Sequence, residues 1–522
     1  MLATELRRAD LREIDQVQLA AQITEILNQH PAVGLAIGVV NDGNLVFFKG
    51  HGVADIALKI PIAEDTVFRI ASISKTFTAV AVMQLWERGL IDLDAPANQY
   101  LHAFQLIGKP GWQPATVRHL LTHTSGLPEM VHPFRGIRYV FGESYSLDER
   151  VARLSEYYRG GIRLVSEPGA TFRYTDHSFS TLGQIVDELT GQPFEDYLRE
   201  HVLAPLGMAG TDIVRSAHVQ SHLATGYTYG FRGPKAVVDR QWLTAAASMI
   251  YSSPRDMARY LAALLGGGAN DHGRILEPAT LAMMFATQYT THPLIPGIGL
   301  AFDRYSFGDQ IVIGHEGILP GFNSQILFAP AHGLGVMAFT NGSPGAMFWL
   351  PAECGRLLSG LLGVTEDRIR TEIPQRPEVW GELCGWYKPS ARWVDTRLRA
   401  FLGLGVEVFV RGGRLMIRGL NPMPALYHGF ELHPDDNSDP YVFRVDASKY
   451  GIPTSRVVFS RDSTGTMRVH YDLMPLSLEK QPAVTNPRLW ISAAAATVGA
   501  VATANAVRRR RALNRWRGER DT

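Results

Sequence analysis

The chain has 522 residues, of which 46% are hydrophobic and 19% charged, with a net charge of +1. This exceeds one ordinary domain and supplies ample core, which excludes a disordered or fibrous chain, and the charge balance gives no global pull toward nucleic acid or an acidic partner. Two cysteines, Cys354 and Cys384, allow at most one disulfide and no Cys-rich metal site.

Met1 to Asp15 mixes Arg, Asp and Glu and has no apolar run behind a basic start. No secretory signal is expected there, and the expected location is cytoplasmic. Val17 to Leu27 has helical spacing, with Val17, Ala20, Ala21, Ile23 and Leu27 as its apolar positions. Two β-like runs follow, Val33 to Val40 and Leu45 to Lys49, and Asp42-Gly43 between them predicts a hairpin. Ser72 to Arg88 reads as a helix that Gly89 ends. A mixed region rich in Pro and Gly runs to about residue 295. Strand signals return at Gln310 to Gly314, Gln325 to Phe328 and Leu334 to Phe339, with a turn at Pro330 to Gly333, and Ala346 to Leu362 reads as a closing helix. Strands at both ends of this portion with helices between them predict an α+β arrangement. An antiparallel sheet brings the two ends together and a helical region is inserted between them.

Residues 366–380 carry Pro374 and Pro377 and read as a linker after a first domain, 1–365. Val406 to Arg411, Arg414 to Arg418, Tyr441 to Val445, Arg456 to Ser460 and Thr466 to Tyr471 are short β-like runs, with Gly412-Gly413 as a hairpin turn. They predict an all-β barrel domain over 381–482. Residues 483–522 form an Ala-rich segment and basic tail. From Leu489 to Val507 no residue is charged, and Arg508 to Arg511 follow. Two readings stay open for this run: an Ala-rich helix with a basic end, and a membrane span or interfacial anchor.

Three motifs carry chemistry. In Ser72-Ile73-Ser74-Lys75, residues three apart share a helix face, so the Ser72 hydroxyl and the Lys75 ammonium can meet. A serine needs a neighbouring base, and a lysine serves as one only where burial or positive charge lowers its pKa. A serine at a helix start also has free N–H groups nearby for an oxyanion. The bland alternative is a helix cap, at Ser72 or Ser74, beside a solvated lysine. Apolar Ile73, Phe77, Val80 and Leu85 mark a core helix and favour the chemical reading. The second motif, Phe172-Arg173-Tyr174-Thr175-Asp176, precedes a helical run from Thr181 to Leu189. Tyr174 can shuttle a proton beside a cation; alternatively it is a half-buried aromatic. The third is Gly314-His315-Glu316-Gly317, at a strand end. Gly317 allows close approach of a ligand, the Ile318 N–H can complete an oxyanion hole, and His315 orients substrate or plays a structural part. No metal cluster, P-loop or dinucleotide fingerprint stands out, so no cofactor is expected. His119 and His123, four apart, are read as part of a turn rather than as metal ligands.

In that order the three motifs resemble the serine β-lactamase and penicillin-binding-protein superfamily, and within it the class C β-lactamase, D-aminopeptidase and esterase branch, peptidase family S12. Val117 to Pro128 (Val-Arg-His-Leu-Leu-Thr-His-Thr-Ser-Gly-Leu-Pro), Pro205-Leu206-Gly207-Met208, Ser253 to Ala258 and Pro320-Gly321-Phe322 agree with it. The resemblance covers about residues 20 to 362. It implies a β-lactamase/transpeptidase-like fold, Ser72 as acylated nucleophile, Lys75 as base, and Tyr174 as activator of Ser72 and donor to the leaving group. The N–H groups of Ser72 and Ile318 would hold the oxyanion, beside Gly317, and His315 would stand where the pattern has the lysine of Lys-Thr-Gly. Two departures follow. Asp176 replaces the asparagine of Tyr-x-Asn, exchanging an amide for an acceptor-only carboxylate that can pair with Lys75. His315 replaces a fixed ammonium that attracts substrate carboxylates. Both shift the expected activity from β-lactamase toward esterase or aminopeptidase-like hydrolysis of small ester, amide or peptide substrates. A β-lactamase or penicillin-binding peptidase, and a binding protein with a degraded site, are the alternatives. Leu383-Cys384-Gly385-Trp386-Tyr387 resembles the entry to the lipocalin-like C-terminal domains of several relatives, which can approach the cleft.

Overall fold

The computed structural model describes residues 16–131, 143–364, 369–389, 403–421, 424–446, 454–472 and 474–488. The uncharged run 489–507 lies outside them. Among the described residues, no helix is long and apolar enough to cross a membrane.

Helix α1 (Gln16–Gln29) leads into a hairpin of β1 (Gly34–Asn41) and β2 (Asn44–Asp55). Its turn residues Asp42 and Gly43 both have positive φ, 45° and 82°, as a tight two-residue hairpin loop requires. Strand β2 extends well past the expected Lys49 because its pairing with β1 continues as far as Gly34 and Gly52. Helix α2 (Ser74–Glu87) follows, then the helical region with α3 (Asp176–Thr190) and α4 (Pro254–Leu265). The chain returns through β3 (Asp303–Phe307), β4 (Gln310–Leu319), β5 (Phe322–Ala329), β6 (Leu334–Thr340) and α5 (Ala346–Leu361). These strands form one antiparallel sheet, in the order β3-β4-β5-β6-β1-β2 with Ile60–Pro61 at its edge. First and last strands therefore meet at its centre, where Leu35 pairs with Thr340 and Val39 with Val336.

Both faces of the sheet are covered, which is why β1, β5 and β6 read as near-continuous apolar runs. Leu35, Ile37 and Val39 pack with Leu19 and Ile23 of α1 and Trp349 and Leu357 of α5. Ala36 and Val40 turn the other way, toward Met337, Phe339, Tyr260 of α4 and Phe77 of α2. Helix α2 is enclosed between the sheet and the helical region, so it is buried nearly all round.

After helix Pro377–Leu383 come β7 (Gly385–Pro389), β8 (Val406–Arg411), β9 (Arg414–Gly419), β10 (Phe430–Glu431), β11 (His433–Pro434), β12 (Val442–Val445), β13 (Ser455–Arg461), β14 (Met467–Tyr471) and β15 (Met474–Lys480). They form a nine-stranded antiparallel sheet, ordered β10-β9-β8-β7-β15-β14-β13-β12-β11. Its two edge strands, β10 and β11, are separated in sequence by Leu432 alone, so the sheet curls into a nearly closed barrel around Tyr387, Leu415, Leu432, Val469 and Leu478. Ile295, from the segment before β3, packs with Val442 and Val458 of the barrel, and the rings of His292 and His470 lie 5.3 Å apart. Cys354 and Cys384 are both free.

Candidate active site

Ser72 sits in a 3₁₀ turn, Ala71–Ile73, that leads into α2, so the helix proper starts two residues later than its apolar pattern implies. The turn is held in an uncommon conformation: Ala71 has φ 50°, a region non-glycine residues rarely adopt. Ser74 does not cap its own helix; its Oγ accepts from the Ile250 N–H at 3.1 Å and ties α2 to the neighbouring chain. Ser72 is 5% exposed and Lys75 is fully buried. Lys75 Nζ donates to Ser72 Oγ at 3.0 Å and to the Ala247 carbonyl at 3.1 Å.

The second motif arrives from α3. Thr175 caps that helix through its hydroxyl, which accepts from the His177 N–H, and puts Asp176 in the first turn, where a carboxylate suits the helix dipole. Asp176 Oδ1 lies 2.7 Å from Lys75 Nζ. The Tyr174 ring stands beside the same ammonium, its centroid 4.8 Å from Nζ. Burial is the largest influence on Lys75 and works to lower its pKa. Asp176 and the hydrogen-bonded Tyr174 together outweigh it, so the lysine is held above its ordinary value. Lys75 is therefore a charged ammonium at neutral pH.

His123 belongs to this cluster, although no sequence spacing links it to Tyr174. Its ring lies 4.2 Å from that of Tyr174 and 5.1 Å from that of Phe179. Its Nδ1 accepts from the Thr175 N–H at 3.2 Å and its carbonyl from the Arg173 N–H at 2.7 Å. Its φ of 56° bends the chain so that the ring reaches inward. His119 instead serves its own helix start, Nδ1 accepting from the Thr116 N–H.

The third motif lies inside β4, which runs to Leu319 rather than stopping at Gly314. The extension follows from pairing: β5 matches β4 through Leu319–Phe322, whereas β3 stops at Gly314. From His315 onward, β4 packs on the Ser72 turn. A Cβ at Gly317 would come 2.1 Å from the Ile70 carbonyl oxygen and 2.2 Å from Ser324 Oγ, so only glycine lets the strand approach. Ser324 Oγ donates to that same Ile70 carbonyl at 2.8 Å and fixes the contact. His315 is buried, with Nδ1 2.6 Å from the Glu316 carbonyl, and Ile318 follows Gly317 along the same strand.

Residues 19–352 match the family model described as Beta-lactamase. The chain is 34% identical to Esterase EstB of Burkholderia gladioli over 203 residues, 37% of this chain and 52% of that protein. It is 24% identical to Protein flp of Staphylococcus aureus (strain MW2) over 332 residues, 62% of this chain and 63% of flp, so it spans less than two thirds of that relative. Among solved structures, the octameric penicillin-binding protein homologue from Pyrococcus abyssi is similar at TM-score 0.57 and 23% identity, over 90% of this chain and all of that one. D-amino acid amidase from Ochrobactrum anthropi SV3 is similar at TM-score 0.50 and 25% identity, over 62% of this chain and 89% of that one.

Proposed function

We propose that this chain, which belongs to the beta-lactamase family, is a serine hydrolase that forms an acyl-enzyme on Ser72 and cleaves esters or amides of small acyl groups. The observation that carries the reading is the buried Lys75 ammonium, 3.0 Å from Ser72 Oγ and beside the Tyr174 ring.

Because Lys75 is held charged, it does not take the serine proton in the resting enzyme. Its charge favours the ionised form of the neighbouring phenol, which makes Tyr174 the base. Ser72 Oγ attacks the substrate carbonyl as its proton passes to Tyr174, and the N–H groups of Ser72 and Ile318 hold the oxyanion. Tyr174 then returns the proton to the leaving alcohol or amine. Water attacks the ester so formed by the same steps in reverse, releasing the acid and Ser72. Ala71, Gly317 and Ser324 keep the turn and β4 at the spacing the oxyanion needs. His123 is a positioning residue for the phenol.

The substrate class follows from charge. His315 gives no permanent cation where the resemblance implies a lysine, and Asp176 brings a carboxylate to Lys75. Both weaken attraction for the carboxylate of β-lactams at that position. The likeness to Esterase EstB and to D-amino acid amidase supports simple esters and amides. The Lys75–Asp176 pair is also what favours the second reading, a binding protein with a disabled centre.

Parallel assays of p-nitrophenyl esters, D-amino-acid amides and nitrocefin on wild type and Ser72→Ala separate these. Ester or amide hydrolysis that vanishes with Ser72, and fluorophosphonate labelling at Ser72, are expected. Undiminished hydrolysis in Ser72→Ala would remove the proposal, and stable labelling by fluorescent penicillin would move it to the penicillin-recognising class.

A further inference from the structure

Two hairpins stand next to one another on the surface. The first is the end of β2 paired with its edge strand Ile60–Pro61. The second pairs Tyr227–Gly230 with Gly233–Ala236 and turns through Phe231-Arg232. Their roots are bonded together. The Thr225 N–H donates to the Ala54 carbonyl at 2.9 Å, and the Ile56 N–H to the Tyr227 hydroxyl at 2.8 Å. The Thr225 hydroxyl donates to Asp55 Oδ2 at 2.7 Å. Side chains two apart on a strand share a face, so Tyr229 lies on the same side as Tyr227, the side of the first hairpin. The two tips therefore belong to one surface.

Both tips are apolar where turns are ordinarily polar. Phe231 is fully exposed, Leu58 is 72% and Val238 76% exposed, and Ile56, Ile60 and Tyr229 are exposed as well. The turn itself does not ask for them: Gly233, with φ 98°, supplies the special conformation. A Cβ at Gly230 or Gly233 would meet no atom within 4 Å, so the second tip stands clear of the rest of the protein. A lone two-stranded hairpin gains little from its own cross-strand contacts. Apolar side chains that project without packing on their own fold suit a contact outside the chain.

The charge on the tips selects the partner. Residues 55–61 and 227–238 hold Lys59, Arg232 and Lys235, all exposed, and a single carboxylate, Asp55. That carboxylate is engaged within the pair of hairpins: besides Thr225, it holds the Leu58 N–H through Oδ1 at 2.8 Å. A two-fold contact would set this positive surface against its own copy. A protein partner would also need a separate pocket for each projecting tip. A bilayer surface needs neither. Apolar tips at any spacing enter the boundary between headgroups and acyl chains, while the Lys and Arg beside them stay at the headgroups and meet anionic lipid.

We infer that the tips at 56–60 and 229–238 seat the protein on an anionic lipid surface. This surface is separate from the uncharged run 489–507. It goes beyond the acyl-transfer reading and does not depend on it, since its test reads binding rather than turnover. It is also anchored to the sheet: a Cβ at Gly321, in the β4–β5 turn, would come 2.8 Å from the backbone of Gly226, at the root of the second hairpin. The lipid contact is thus built onto the end of β4 that carries Ile318.

The test is sedimentation of the full chain with vesicles of phosphatidylcholine mixed with phosphatidylglycerol, and with vesicles of phosphatidylcholine alone. Wild type is compared with Leu58→Ser combined with Phe231→Ser, and with Arg232→Glu combined with Lys235→Glu. All four side chains are exposed, and thermal melting is the control for the fold. Wild type is expected to bind the mixed vesicles about ten-fold or more tighter than the neutral ones, and less tightly as salt rises. Each double variant is expected to lose about ten-fold or more on the mixed vesicles. Both variants keep residues 489–507, so binding that persists unchanged in both belongs to another part of the chain and overturns the inference. Absence of wild-type binding to the mixed vesicles overturns it too, as does equal binding to the two kinds of vesicle. Sedimentation velocity covers the remaining occupant. A wild type that self-associates without binding vesicles, beside a monomeric Leu58→Ser, Phe231→Ser variant, would assign the tips to a second copy and overturn the lipid reading.

Discussion

Lys75 Nζ and Asp176 Oδ1 are 2.7 Å apart, and the lysine is fully buried while the aspartate side chain is 38% exposed. A buried ammonium without a partner would lose its proton; this carboxylate, with Tyr174, is what keeps it charged. The position that holds an amide in the resembled pattern therefore sets the protonation state of the site.

Asp176→Asn removes that partner and is expected to lower the pKa of Lys75. If the ammonium must stay charged to hold the Tyr174 phenol acidic, the alkaline limb of the kcat/KM profile moves to lower pH, by about one unit or more. A pH–rate series on a p-nitrophenyl ester reads this directly. An unmoved alkaline limb would detach the Lys75–Asp176 pair from the mechanism.

Much of this was legible in the sequence because it rests on local rules. Two β-like runs with Asp42-Gly43 between them mark the β1–β2 hairpin, and the three-residue spacing of Ser72 and Lys75 brings hydroxyl and ammonium together. The start of α2 lies two residues beyond its apolar pattern because that pattern continues through a 3₁₀ turn whose Ala71 φ is positive, and hydrophobicity does not encode that. The continuation of β4 past Gly314 was hidden for a different reason. Its residues there are Gly, His and Glu, which carry no strand signal of their own, and hairpin pairing with β5 across Pro320-Gly321 keeps them extended. The link between His123 and Tyr174 has no sequence signal, because it exists only once two separate loops meet.

The closeness of β4 to the Ser72 turn gives a second expectation. Gly317→Ala drives a Cβ into the Ile70 carbonyl and Ser324 Oγ, so strand and turn must part. Overpacking of this kind costs about 1–3 kcal/mol. Activity should suffer more than stability, because an oxyanion hole tolerates little displacement, and kcat is expected to fall at least a hundred-fold. Thermal melting and ester kinetics on one preparation compare the two losses. A variant with near-normal kcat would show that the approach of Gly317 does not matter to the chemistry.

His123→Asn tests the support of Tyr174. Asparagine tolerates the positive φ of this position better than most residues, so the backbone bend is retained while the ring against the phenol is lost. A fall in kcat of about ten-fold with KM little changed is expected for a residue that positions a proton carrier. A change confined to KM would assign His123 to substrate binding instead.

The contact between the barrel and the segment before β3 predicts sensitivity to acid. His470 is 3% exposed, its Nε2 lies 2.9 Å from Ser460 Oγ, and its ring faces His292 with Arg468 nearby. Burial, followed by the charges of His292 and Arg468, pushes its pKa down to about 4. An unfolded histidine titrates near 6.5, so between about pH 6.5 and 4 the unfolded chain binds a proton that the folded one refuses. The stability present above 6.5 is therefore lost as pH falls through that window, by up to ~3 kcal/mol. His470→Gln, which cannot take up the proton, should flatten melting temperature against pH between 6.5 and 4. The segment bearing His292 also carries Tyr289, which hydrogen-bonds the Phe172 backbone two residues before Tyr174. Loosening at His470 is thus expected to reach ester hydrolysis before global unfolding, as a reversible loss of kcat near pH 5 that the His470→Gln protein does not show. If wild type and variant lose stability and activity in parallel over this range, the acid response originates elsewhere.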